Sequence, residues 1–302
     1  MLQVRANLRL ISGRKTLFFD SHTHFNNEGY SEEERAALLE ATDKATKEGK
    51  LSYAADIGFD VASSQLAVYH ARKYPWCYAA VGCHPHDAST MDQDKLECIR
   101  QLALEERTVA IGEIGLDFHY DYSPRQVQEE WFRRQIRLAN ELGMPIVIHS
   151  READGLVMDI LKEEGAFSEE RKAKFPKRPD REGFAGGTDG LTDDARVLLH
   201  CFSGSAELGR QYVKLGATIS VAGPVTYKNN KKTVAVVEEI PLDFLLVETD
   251  APYLAPVPFR GKRNTPLLVR HTAAKVAEIK GVSIEDVAAI TCENALRFYG
   301  IK

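Results

Sequence analysis

Short apolar runs recur along the chain, each ending in a polar tip and followed by a stretch with helical spacing. The runs are Thr16–Asp20, Leu51–Ile57, Trp76–Gly82, Thr108–Gly112, Pro145–His149, Arg196–His200, Ala217–Ser220 and Phe244–Glu248. Several, such as Ile146-Val147-Ile148 and Val197-Leu198-Leu199, are apolar on consecutive residues. A strand covered on both faces reads this way, as parallel strands do. The clearest helical stretch is Pro124–Leu142, with Val127, Trp131, Ile136 and Leu138 on its apolar side. Ser123 is placed to cap it, Pro124 to open it and Gly143 to end it. Eight strands alternating with helices over 302 residues predict a (β/α)8 TIM barrel. A doubly wound open sheet is the competing arrangement.

Composition narrows the picture. Hydrophobic residues make up 44 % of the chain, enough for a sizeable core. The 39 basic and 44 acidic side chains leave a net charge of −5. That balance excludes a protein that coats nucleic acid non-specifically, so any phosphate recognition must be local. No apolar run approaches the roughly 20 residues of a membrane helix, and no membrane partner is expected. Five cysteines, odd in number and without metal-type spacing, point to reduced thiols and a cytoplasmic location. Residues 1–302 read as one domain with two embellishments. The first is a basic N-terminal extension over about residues 1–15, which also has the look of a presequence. The second is a polar insertion over about residues 165–194, between the fifth helix and the sixth strand, expected to be a solvated loop.

Position makes the chemistry informative. His22 and His24 follow the first run, His84 the third and Glu113 the fourth; His149 and His200 end the fifth and sixth, and Asp250 follows the eighth. In a barrel these points converge on the C-terminal face, where active sites lie. His22-Thr23-His24 on an extended strand turns both imidazoles to one side. Imidazoles and carboxylates are ligands for divalent ions. Four of these imidazoles, leaving His84 aside, with the two carboxylates exceed one tetrahedral site and suit two ions sharing a carboxylate, about 3.5–4 Å apart. The set implies two divalent metal ions: Zn, Mn, Mg, Fe or Ni.

The segments that carry these residues are Phe18–His24, Val81–His86, Ala110–Asp117, Pro145–Arg151, Leu199–Gly204, Val247–Leu254 and Phe259–Asn264. Together the chain resembles the TatD family of metal-dependent hydrolases, within the amidohydrolase-like barrel superfamily. The resemblance implies a metal-dependent 3′→5′ deoxyribonuclease acting through a metal-activated water. It implies that His22, His24, Glu113 and Asp250 hold one ion and that Glu113, His149 and His200 hold the other. Asp250 would also accept the proton of the water, making Asp250 and Glu113 the catalytic pair. His84 is expected to touch substrate phosphate or to support a ligand. Arg151 and the cluster Arg260, Lys262 and Arg263 are expected to contact phosphate; Phe202 and Tyr253 read first as packing residues, with stacking on bases as the alternative. The expected partner is DNA or another phosphodiester, with no obligate protein partner. Two other functions fit the same residues: hydrolysis of a small amide, lactone or aminoacyl ester, and metal binding without catalysis.

Overall fold

The structure, a computed structural model, describes residues 18–179 and 190–302. Eight strands form one parallel sheet in sequence order: β1 (Phe19–Thr23), β2 (Tyr53–Ile57), β3 (Cys77–Val81), β4 (Thr108–Asp117), β5 (Ile146–Arg151), β6 (Val197–Leu199), β7 (Thr218–Val221) and β8 (Leu245–Val247). The sheet closes where the chain after β8 returns to β1. Thr23 bridges to Ala251, and the Asp20 carboxylate accepts from the backbone N–H (2.8 Å) and hydroxyl (2.5 Å) of Thr249. The result is the (β/α)8 barrel that the alternation predicts.

Helices follow the strands: α1 (Glu32–Lys47), α2 (Val61–Lys73), α3 (Gln93–Ala103), α4 (Arg125–Leu142), α5 (Asp154–Glu163), α6 (Glu169–Lys172), α7 (Ala206–Lys214), α8 (Lys231–Glu239), α9 (Val269–Lys280) and α10 (Ile284–Tyr299). Among the described residues no helix is long and apolar enough to cross a membrane. Alternation along the strands divides the core in two. Phe19, Ile57, Ala80, Ala110, Val147, Leu198 and Leu246 form one cluster, against which Phe298 and Tyr299 of α10 pack. The intervening residues, such as Ile146, Ile148, Val197 and Leu199, belong to a larger cluster shared with the helices. The apolar floor leaves the polar residues concentrated at the opposite, C-terminal ends.

Two sequence expectations change. Ser123 does not cap α4; Pro124 holds the cap position with no side-chain bond. The Ser123 hydroxyl instead donates to the His86 carbonyl at 2.8 Å and accepts from the Ser89 N–H at 2.9 Å, tying the β3 loop to the β4 loop. The second change concerns the 165–194 segment, whose described parts are exposed in many places but not wholly a solvated loop. Ala166 and Phe167 are buried, and so are the guanidinium groups of Arg171 and Arg178. Arg171 donates to the carbonyls of Ala195 (2.9 Å) and Met144 (2.8 Å). Arg178 donates to the Gly216 and Ala217 carbonyls (3.0 and 3.1 Å), to Thr218 Oγ1 (2.9 Å) and to the Asp194 carboxylate (3.1 Å). These acceptors precede or open β5 to β7, at the N-terminal face. Charge content alone suggests solvation, but a guanidinium with five N–H groups can instead collect backbone carbonyls left over at strand starts. The middle of this segment and the N-terminal extension lie outside the described residues.

Candidate metal centre

The polar residues meet at the C-terminal face in two adjoining groups. In the first, His22 Nε2 and His24 Nε2 are 3.2 Å apart. Glu113 Oε2 lies 3.4 Å from the former and 3.8 Å from the latter. Asp250 Oδ1 lies 3.9 and 3.4 Å from the same two nitrogens. A tetrahedral ion with bonds of about 2.0–2.2 Å has ligand–ligand edges of about 3.3–3.6 Å, so the spacing fits one cation. The tautomer agrees. His24 Nδ1 is 2.8 Å from the Ile57 carbonyl, which can only accept, so the ring proton sits there and Nε2 presents a lone pair.

The second group gathers on the other oxygen of the same carboxylate. Glu113 Oε1 is 2.7 Å from His200 Nε2, 2.8 Å from His149 Nδ1 and 3.5 Å from His84 Nε2. One buried carboxylate thus has an oxygen in each donor set, the arrangement expected of a residue shared by two ions. The donor set fits divalent metal. His84 stands inside this second group, closer to the centre than the sequence reading placed it.

Close backbone approach makes the juxtaposition possible. β4 carries Glu113 and lies beside β5, which carries His149. A Cβ at Gly115 would sit 1.9 Å from the His149 carbonyl oxygen, and its φ is +149°. Only glycine permits that contact. Asp250 adopts a left-handed backbone (φ 55°), pinned by its N–H to the His22 carbonyl at 2.9 Å. Aspartate is among the residues that tolerate this region.

Two carboxylates that the sequence reading quoted only within motifs hold the imidazoles. Glu248 accepts from His200 Nδ1 (3.3 Å), from the Cys201 N–H (2.7 Å) and from the Ser220 hydroxyl (2.5 Å). Asp117 Oδ2 accepts from His149 Nε2 and from His86 Nε2, both at 3.0 Å. The signal that points to them is a carboxylate at a buried strand end, which needs a partner.

The electrostatics are those of a site built for positive charge. Burial pushes the Glu113 carboxyl up, but His200, His84 and His149 outweigh it and hold it well below the ordinary range. Burial likewise opposes charge on His24, His149 and His200, yet the facing carboxylates raise all three above the usual imidazole value. His84 is pushed down to about 4, by burial first and then by His149.

The remaining site candidates have mixed placements. Tyr253 lies 6.4 Å, ring to ring, from His24 and is 54 % exposed. It lines an open groove of about 510 Å³ with Asn27, Pro252, Lys262 and Arg263. Arg263 is paired with Glu34 at 3.1 Å, so part of its charge is neutralised. Arg260 stacks on Tyr227 at 4.6 Å and is not among the groove residues. Arg151 lies over the Tyr120 ring at 4.7 Å. Phe202 is buried, which removes it as a base-stacking surface.

Comparison with known proteins accords with this geometry. The profile of the family described as "TatD related DNase" matches residues 19–300. The chain belongs to the TatD family. It is similar to the uncharacterized metal-dependent hydrolase YabD of Bacillus subtilis, 42 % identical over 94 % of this chain and 100 % of YabD. It is also similar to a Cronobacter sakazakii protein named 3′-5′ ssDNA/RNA exonuclease TatD, 33 % identical over 80 % of this chain and 84 % of the relative. The crystal structure of YJJV, a TatD homologue from Escherichia coli K12, superposes with a TM-score of 0.76 at 26 % identity, covering 94 % and 98 % of the two chains. This TatD-family chain is a metal-dependent hydrolase with clustered histidines and carboxylates at the C-terminal strand ends.

Proposed function

We propose that this TatD-family chain hydrolyses phosphodiester bonds in DNA, removing nucleotides from the 3′ end of a single strand. The observation that carries the proposal is Glu113, with Oε2 facing His22 and His24 and Oε1 facing His149 and His200. Two divalent ions held there supply a water of lowered pKa and positive charge for a phosphoryl oxygen. His22, His24, Glu113 and Asp250 would hold one ion, and Glu113, His149 and His200 would hold the other, with His84 completing the second group. Asp250 accepts the proton of the attacking water. Its side chain is 15 % exposed, so it reaches the open side of the site as well as His24. Glu248 and Asp117 fix His200 and His149. The groove with Lys262 gives a polyanion a local route in an otherwise acidic protein. The name of the Cronobacter relative and the family description support the same reading.

The test is a substrate panel with metal-reconstituted protein: single-stranded DNA, duplex DNA, RNA and an aminoacyl ester. Shortening of single-stranded DNA from its 3′ end is expected. Asp250→Asn should lower kcat by about 10²- to 10⁴-fold, the range for loss of a general base, with unchanged thermal unfolding. Hydrolysis of the aminoacyl ester alone would overturn the proposal.

A further inference from the structure

Next to the second donor group the chain leaves two aromatic rings in the open. Tyr120 and Tyr122 are 46 % and 68 % exposed. Their rings are stacked, with centroids 5.2 Å apart and planes 10° from parallel. Arg151 lies over Tyr120 at 4.7 Å. His86 stands nearly perpendicular to both rings, at 5.6 and 4.8 Å, and lies 4.3 Å from His84 and 6.3 Å from His149. One imidazole therefore separates the exposed pair from the proposed second ion.

The pair is held in place. The Tyr120 N–H donates to Asp117 Oδ1 at 3.1 Å, and Arg125 donates to the Phe118 carbonyl at 3.2 Å. Ser123 is fixed on both sides, its carbonyl by Gln128 at 2.8 Å and its hydroxyl to His86 at 2.8 Å. A flat aromatic face in water is unfavourable unless something covers it. A nearby guanidinium suits an anionic neighbour of whatever does.

We propose that Tyr120 and Tyr122, backed by Arg151, form a stacking platform for an unpaired nucleobase whose adjoining phosphate enters the metal centre. The inference rests on the phosphodiesterase reading above and adds to it the basis of strand selection. A base in a duplex is held by its pairing partner and by stacking on its neighbour, whereas an unpaired base at a single-stranded end is free to turn onto the platform. Stacking needs only a π-face, so the platform accepts all four bases.

The experiment compares two substrates on metal-loaded enzyme: a single-stranded oligonucleotide, and a strand of the same length and charge with abasic sugars throughout. The Tyr120→Ala/Tyr122→Ala protein should lower the ratio of kcat/KM for the base-bearing over the abasic strand by roughly 5- to 150-fold, the range for loss of base–aromatic stacking. Tyr120→Phe/Tyr122→Phe should keep the wild-type ratio, because the ring faces remain. If the double alanine protein fails to fold, Tyr122→Ala alone serves, since that side chain is mostly in solvent. An unchanged ratio, or equal loss in the alanine and phenylalanine proteins, overturns the platform. A second readout separates it from the nuclease reading. On rapid mixing, a 2-aminopurine strand should be quenched by the wild-type protein and not by the alanine variant. Should the wild-type enzyme cleave neither strand, the nuclease reading fails, and this quenching decides the platform: present in the wild type and lost in the variant, it stands; absent from both, it falls.

Discussion

Replacing Asp117 with asparagine should weaken the second ion more than replacing it with alanine. The carboxylate has two distinct sides. Oδ1 accepts the backbone N–H groups of His119 (3.0 Å) and Tyr120 (3.1 Å), and Oδ2 accepts from His149 Nε2 and His86 Nε2, both at 3.0 Å. In Asp117→Asn the two backbone donors fix which way the amide turns, since only its oxygen can accept from them. The NH2 then faces His149 Nε2, which must become an acceptor. The ring proton moves to Nδ1, the nitrogen that lies 2.8 Å from Glu113 and that the second ion would use. Restoring the binding tautomer sets two buried donors against each other, a penalty on the order of 1–3 kcal/mol. That equals about 5- to 150-fold in affinity and overlaps the about 10- to 100-fold effect of losing an outer partner of a metal-ligating histidine. Asp117→Ala only removes the brace; the imidazole keeps either tautomer, and water can enter. The assay is calorimetric titration of the metal-stripped proteins with Mn²⁺ or Zn²⁺, resolving two binding events. Wild-type affinity in the asparagine variant, or a greater loss in the alanine variant, would refute the tautomer argument.

Three further outcomes are expected. Arg178→Ala should destabilise the fold by about 3 kcal/mol, the lower end for breaking a buried ion pair, because Arg297 still faces Asp194; urea unfolding measures it, and retained stability would return the 165–194 segment to the surface. Metal affinity should rise with pH through and above the ordinary imidazole value of about 6.5: His24, His149 and His200 carry raised values in the metal-free chain and must lose their protons before they ligate. Titrations in buffers of different ionisation enthalpy should reveal that proton release, and a pH-independent affinity would contradict it. Lys262→Ala should flatten the plot of log KM against log salt for a single strand by about 0.7, one phosphate contact; Arg263→Ala should move it less, since Glu34 already engages that side chain.

The barrel and its polar rim were legible because both follow from short-range rules. Runs such as Ile146-Val147-Ile148 have one reading when helical stretches flank them, and a histidine or carboxylate at the end of such a run has one face to meet on. The spacing of His22 and His24 was enough to pair them. Residues whose role depends on three-dimensional partners were harder. Arg171 and Arg178 read as solvated charge because nothing in the sequence shows the carbonyls at the starts of β6 and β7 that bury them. Asp117 and Glu248 stood within quoted motifs, but their bonds to His149 and His200 come from register between strands. Ser123 sat at the right offset to cap α4, yet a partner on the β3 loop took its hydroxyl.

The seam between Asp20 and Thr249 has a consequence for the newly made protein. These residues are separated by 229 positions, and the donors at the metal centre span almost the same interval. At a synthesis rate of about 5–20 residues per second, roughly 11–46 s pass between the appearance of the two sides. Until then β1 has an open edge and the donor set lacks Asp250, so a nascent or prematurely terminated chain carries histidines without a working hydrolase. The barrel's closure thereby acts as a completeness check: only a ribosome product that has reached its last strand carries the whole donor set.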